Sequence, residues 1–90
     1  MTIELRPIDA SELGAFLTTD LAAFGMVAPS AAAIEEEARL VELDRTLAVF
    51  DGDEIVATCD AYSFAMTVPG GAAVPVAAVS AVSVAATHRR

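Results

Sequence analysis

The sequence predicts an α+β fold, a mostly antiparallel sheet packed by two helices in the order β-α-α-β-β-β. Three observations lead there. Apolar and polar residues alternate at the start of the chain and again from Thr46 onward, the period of a half-buried strand, while between these stretches the apolar residues recur at helical spacing. The later half is punctuated by "DGD" and "PGG", both turn-forming triplets. The chain has 90 residues, room for one domain and one core.

Each element follows in order. "TIELRPI" sets Ile3 and Leu5 against Glu4 and Arg6 and reads as the first strand. Asp9 with Glu12 three residues on fits a capping box; Leu13, Phe16, Leu17, Leu21 and Phe24 then fall on one stripe and Gly25 offers a stop, which predicts a helix over 10–24. After the connector "MVAPS", Ser30 caps a second predicted helix reaching Leu43, with Ile34, Ala38 and Val41 on one face. "TLAVF" and "EIVATCDAYSFAMTV" predict two strands joined by a tight turn at Asp51-Gly52. "PGG" makes the next turn, and residues 72–86 form a last strand with Pro75 near its start, where a missing donor is tolerated.

Composition narrows the function. Apolar residues make up 56% of the chain but aromatics only 6%, so the core is expected to be thin and built from small side chains. Thirteen acidic residues against five arginines give a formal charge of -8, which argues against a nucleic-acid partner and suits a cationic one. The lone Cys59 excludes an internal disulfide and a cysteine metal cluster, and no metal is expected. "MTIELRPIDA" lacks the basic-then-apolar order of a secretion signal, so a cytoplasmic location is expected. Gly70, Gly71 and Pro75 interrupt the Ala/Val-rich segment too early for a membrane span.

Several residues invite a chemical reading that a bland one outweighs. Glu35, Glu36 and Glu37 crowd the first two turns of the second helix; the run could bind metal or amines, but a solvated face is the favoured expectation, with Glu35 spaced to pair with Arg39. Asp60, Tyr62 and Phe64 alternate onto one strand face, where a carboxylate beside aromatics could receive a cationic amine; a solvated position for Asp60 is the favoured expectation. Cys59 has no neighbouring His or Lys to activate it, and Asp51 and Asp53 are explained by the turn.

The element order, and above all "MTVPGGAAVPVAAVSAVSVAATHRR" over residues 66–90, resembles the amino-terminal half of a GNAT fold as found in the Eis (enhanced intracellular survival) N-acetyltransferases. The resemblance implies acetyl-CoA as cosubstrate. Val82, Ser83 and Val84 match the strand whose main chain pairs with the pantetheine arm, and Arg89 and Arg90 match the arginines leading into the pyrophosphate loop. The physical logic of that loop is glycine for close approach, helix amino-terminal amides as donors, and arginine for charge. Phe24 and Ala81 match positions lining the acceptor-amine pocket, with Ala81 smaller than in some relatives and Ala86 where proline is common. His88 falls on the approach to the loop, so a general-base role is not expected and no catalytic residue is assigned. In Eis-like enzymes the acid is a later tyrosine and the base is the terminal carboxylate; Tyr62 does not match that tyrosine.

The function implied is an acetyl-CoA-dependent N-acetyltransferase acting on an amine substrate such as an aminoglycoside, a polyamine or a lysine amine, from a family whose full-length members form homo-oligomers. Residues 1–90 are expected to be the amino-terminal part of that domain, truncated at the pyrophosphate loop and inactive alone. The alternative is a non-catalytic GNAT-like module that binds or dimerises through its last strand, left as an apolar edge.

Overall fold

A computed structural model describes residues 2–89; Arg90, the second arginine of the closing pair, lies outside the described residues. Strands β1 (Ile3–Pro7), β2 (Thr46–Asp51), β3 (Glu54–Thr67) and β4 (Ala73–Val84) form an antiparallel sheet in the order β1-β2-β3-β4. Helices α1 (Leu13–Ala23) and α2 (Ala31–Ala38) come between the first two strands, so the predicted element order and class hold.

The local signals account for the element ends. The Glu12 carboxylate accepts from the Asp9 amide at 3.0 Å, the return half of the capping box, and residues 10–12 make a 3-10 turn before α1 proper. Arg6 clamps the same carboxylate with two hydrogen bonds of 2.9 and 2.7 Å, which tie β1 to the helix entrance and lower the Glu12 carboxyl to about 2. At the far end Gly25, at φ 73°, donates to the Ala22 carbonyl while Met26 donates to Leu21, a Schellman ending. Ser30 Oγ accepts from the Ala33 amide at 3.1 Å and caps α2 as predicted.

Three boundaries differ from expectation, the first being β4, which ends at Val84 and not at 86 because Ala86–His88 turn into a 3-10 helix. Helix α2 stops at Ala38, five residues before Leu43, because its last amides bond three residues back: Arg39 to Glu36 and Leu40 to Glu37. That tightening brings both Val41 and Leu43 onto the core, which a continued helix would not do. The expected Glu35–Arg39 ion pair does not form, and both residues are exposed. The first hairpin turns one residue later than predicted: Asp51 pairs with Glu54, leaving Gly52 (φ 63°) and Asp53 as the central residues.

Both helices lie on one face of the sheet. The core there consists of Ile8, Leu13, Phe16, Ala48, Phe50 and Ile55, with Leu17, Ile34, Val41, Leu43 and Ala81 packed around it. Phe16 is fully buried, worth roughly 1.5–3 kcal/mol of transfer free energy. The opposite face presents Leu5, Leu47, Val49, Ala57 and Cys59 around a shallow depression, and no helix among the described residues covers it. Strand β3 has 14 residues against six in β2, so its second half pairs with β4 alone and the two project as an exposed ribbon closed by the "PGG" turn. None of the described helices is long and apolar enough to cross a membrane.

Two bulges set which side chains reach the helix side. Val49 pairs with Ala57 and Phe50 with Ile55, so Val56 is an extra residue in β3 and both it and Ile55 are buried. Beyond the bulge, Thr58 and Asp60 turn toward the helices. In β4, Ser83 pairs with Thr58 and Ser80 with Asp60, so Ala81 and Val82 together face Cys59, with Ala81 in the left-handed region at φ 51°.

Candidate functional site

The site lies where β4 bends, under the end of α1 and beside α2. Val82 and Val84 are 59% and 40% exposed, while Ser83 between them is buried. This is the strand alternation the sequence predicts. Because β4 is the last strand of the sheet, the outer peptide groups of 82–84 have no strand partner among the described residues. Ser83 is held from within: the Thr58 hydroxyl donates to the Ala81 carbonyl at 2.6 Å, and the Ser83 hydroxyl, 2.5 Å away, donates to Thr58. That pair pins the bulge, which is why Ala81 holds an unusual backbone angle without a glycine.

After Val84 the chain is tied down at three points. The Ala85 amide donates to the Val56 carbonyl at 2.8 Å. His88 Nε2 lies 2.9 Å from Asp51 Oδ2, which fastens this segment to the first hairpin. Arg89 Nε donates to the Val84 carbonyl at 2.8 Å, and its Nη2 donates to the Ala23 carbonyl at 3.0 Å, where the helix leaves carbonyls unpaired. The predicted positions Val84 and Arg89 therefore meet, and Phe24, 64% exposed, follows immediately on the carbonyl that Arg89 caps. Ala81 packs at the edge of the core. Val82 takes part in neither group.

A second constellation adjoins the bulge. Asp60 is 4% exposed, so the expectation of a solvated position is wrong: the bulge in β3 and the helices above it enclose the carboxylate. Its Oδ1 is buried without a hydrogen-bond partner. On the same strand face, Thr58 lies 3.5 Å from Asp20 Oδ1 of α1, and the Tyr62 hydroxyl donates to Glu37 of α2. Burial pushes the Asp60 carboxyl up, the Glu37 and Asp20 carboxylates add to this, and the Tyr62 hydroxyl opposes it. Burial likewise raises the Tyr62 phenol, reinforced by its hydrogen bond to Glu37. Tyr62 stacks on Phe64 with centroids 6.2 Å apart, and an open depression beside them is lined by Leu40, Glu42, Tyr62, Ser63 and Phe64. Glu42 closes its rim by accepting from the Ser63 amide at 2.7 Å and hydroxyl at 2.8 Å, contacts that hold its carboxyl below the ordinary value.

The family model described as an acetyltransferase (GNAT) domain matches residues 4–90. The chain belongs to the GNAT acetyltransferase family. Among curated GNAT relatives, an uncharacterized N-acetyltransferase of Streptomyces avermitilis is 46% identical over 90 residues, covering 100% of this chain and 22% of its own length. One of Streptomyces coelicolor is 40% identical over 94 residues, covering 100% and 23%. The chain thus spans about a fifth of the length of these relatives. Among solved structures, Eis1 from Mycobacterium abscessus superposes with a TM-score of 0.79 at 34% identity over 97% of this chain and 21% of that one. A GCN5-related N-acetyltransferase from Kribbella flavida gives 0.75 at 30% identity over 98% and 23%.

Within this GNAT chain, Asp20, Thr58 and the Asp51–His88 pair were not expected at the site, and Glu37, expected on a solvated face, is half-buried against Tyr62. Two of these carried a readable signal. Asp20 falls four residues after Phe16 and three after Leu17, inside the buried stripe of α1, and Glu37 falls three after Ile34 on the inward face of α2. Glu35 and Glu36 are exposed as expected; Glu37 is half-buried and is the exception in the run. The pairing of Thr58 with Ser83, and of Asp51 with His88, depends on strand register and loop return, which no local pattern encodes.

Proposed function

We propose that this chain forms the amino-terminal part of an acetyl-CoA-dependent N-acetyltransferase domain that acts on amine substrates. Beyond family membership, the observation that carries the reading is the bent end of β4: an open strand edge at Val82, Ser83 and Val84 leading directly to Arg89. An extended pantetheine arm has amide groups suited to such an edge, since the edge's free N–H and C=O groups need partners, apart from the Val84 carbonyl that Arg89 already occupies. Arg89 and Arg90 are the residues proposed to meet the cofactor phosphates; the capping contacts of Arg89 orient its guanidinium at the end of α1. Phe24 and Ala81 are proposed to border the acceptor amine.

The chemistry is attack of a neutral amine on the thioester carbonyl, followed by protonation of the departing thiolate. The acid and base implied by the Eis-like resemblance do not correspond to Tyr62, whose phenol is raised and engaged with Glu37. The 90-residue chain alone is therefore expected to bind acetyl-CoA weakly and turn it over at background rate. Thiol release from acetyl-CoA in the presence of spermidine measures this; turnover above background by the pure chain overturns the expectation.

A further inference from the structure

Asp60 is buried, one of its carboxylate oxygens has no hydrogen-bond partner, and the Asp20 and Glu37 carboxylates both add negative charge around it. Asp20 reaches toward it from α1 by way of Thr58, and Glu37 from α2 by way of Tyr62. Of the described arginines, Arg6 pairs with Glu12, Arg45 lies against Glu42, Arg89 caps backbone carbonyls, and Arg39, which follows α2, is exposed. Three carboxylates converging without a described cation repel one another, and a buried charged oxygen without a hydrogen bond is costly. The arrangement calls for a positive group from outside.

The donor geometry selects among cations. Among the described residues no three His, Cys, Asp or Glu side chains are grouped closely enough to hold a metal ion, so an organic cation suits the charge better than a metal does. An ammonium group carries three N–H donors on a carbon chain, and the stacked Tyr62–Phe64 pair offers that chain an apolar wall. Asp60 also pairs with Ser80 next to the β4 bulge, which puts it on the strand neighbouring the edge proposed for the pantetheine arm.

We propose that Asp60, flanked by Asp20 and Glu37, is a subsite for a primary ammonium group of the acetyl acceptor. This rests on the acetyltransferase reading and sharpens it. A nitrogen held by carboxylates keeps its proton, whereas the nitrogen that attacks a thioester must be neutral. The ammonium bound at Asp60 is thus not the one acetylated, and the substrate carries at least two amines, which favours polyamines and aminoglycosides over a lysine side chain.

The test is calorimetric titration of the 90-residue chain with 1,4-diaminobutane at pH 7. Saturable binding is expected, weakened by about tenfold or more in Asp60→Asn and unchanged in Glu35→Gln, a loss of the same charge at an exposed site. Circular dichroism establishes that Asp60→Asn is folded; if it is not, the carboxyl ¹³C shift of Asp60 in the unsubstituted chain must move to the ionised value as diamine is added. Equal binding by Asp60→Asn, equal affinity for tetramethylammonium, displacement of diamine by stoichiometric Mg²⁺, or an unmoved Asp60 shift each overturns the subsite. Acetyl-CoA binding is measured separately on the same chain. Diamine binding through Asp60 without acetyl-CoA binding leaves the subsite standing and removes the cofactor role proposed for the β4 edge; acetyl-CoA binding without diamine binding removes the subsite alone.

Discussion

Asp60 shows how one residue can oppose the fold that contains it. Its carboxyl is raised by burial, so the folded chain holds that proton more tightly than the unfolded one does. Stability linked to this group therefore falls as pH rises from the ordinary carboxyl value through the raised folded value, and is greatest on the acid side. Asp60→Asn removes the charge and is expected to stabilise the unliganded chain at pH 7 by about 1 kcal/mol, with little effect near pH 4. Urea denaturation at both pH values measures the difference; a variant equally destabilised at both contradicts it. Strand alternation made the shared face of Asp60, Tyr62 and Phe64 readable in advance. The depth of Asp60 was not readable, because burial depends on what the helices cover.

At the level of elements, the irregularities matter more than the regular spans. The extra residue at Val56 turns Thr58 and Asp60 toward the helices, and the bulge at Ala81 and Val82 bends β4 where its edge is open. Ala81 occupies left-handed backbone, tolerable for alanine and severe for a β-branched side chain. Ala81→Val is expected to destabilise the chain by about 1–2 kcal/mol, whereas Ala81→Gly is near neutral, strain relief offsetting the added freedom of the unfolded chain. Thermal unfolding of the pair checks this, and a valine variant as stable as the parent would show that the strand relaxes out of the bulge. The sequence showed β4 as a strand, since Val/Ala alternation and the "PGG" turn are local. It showed nothing of the bulge, which arises from Thr58 and Ser83 meeting across strands. The cap at Ser30 and the stop at Gly25 were legible for the opposite reason: both act within a few residues.

For the molecule as a whole, the layering leaves one sheet face and one long edge open among the described residues. Leu5 and Val79 are each 65% exposed, Phe64 58% and Met66 54%, and the outer edge of β4 carries unpaired peptide groups. An uncovered face and a free edge both favour association. The 90-residue chain is expected to self-associate at micromolar concentration despite its formal charge of -8, and more strongly as salt screens that charge. Sedimentation velocity across a concentration series tests this; a single monomeric species at all concentrations and salt levels would mean that the ribbon folds back over the face.

What the sequence determined by itself was local: strand and helix order, caps, turns, the absence of lysine, and a family resemblance carried mainly by residues 66–90. Periodicity and turn chemistry operate over a few residues, so they can be read one stretch at a time. Tertiary structure decided the rest: that α2 ends early so Val41 and Leu43 reach the core, that Arg89 closes onto the end of α1, and that Asp20 and Glu37, from separate helices, add their charge near the buried Asp60 carboxylate. Those outcomes depend on strand register and on which surfaces the helices cover, quantities set by packing across the whole chain.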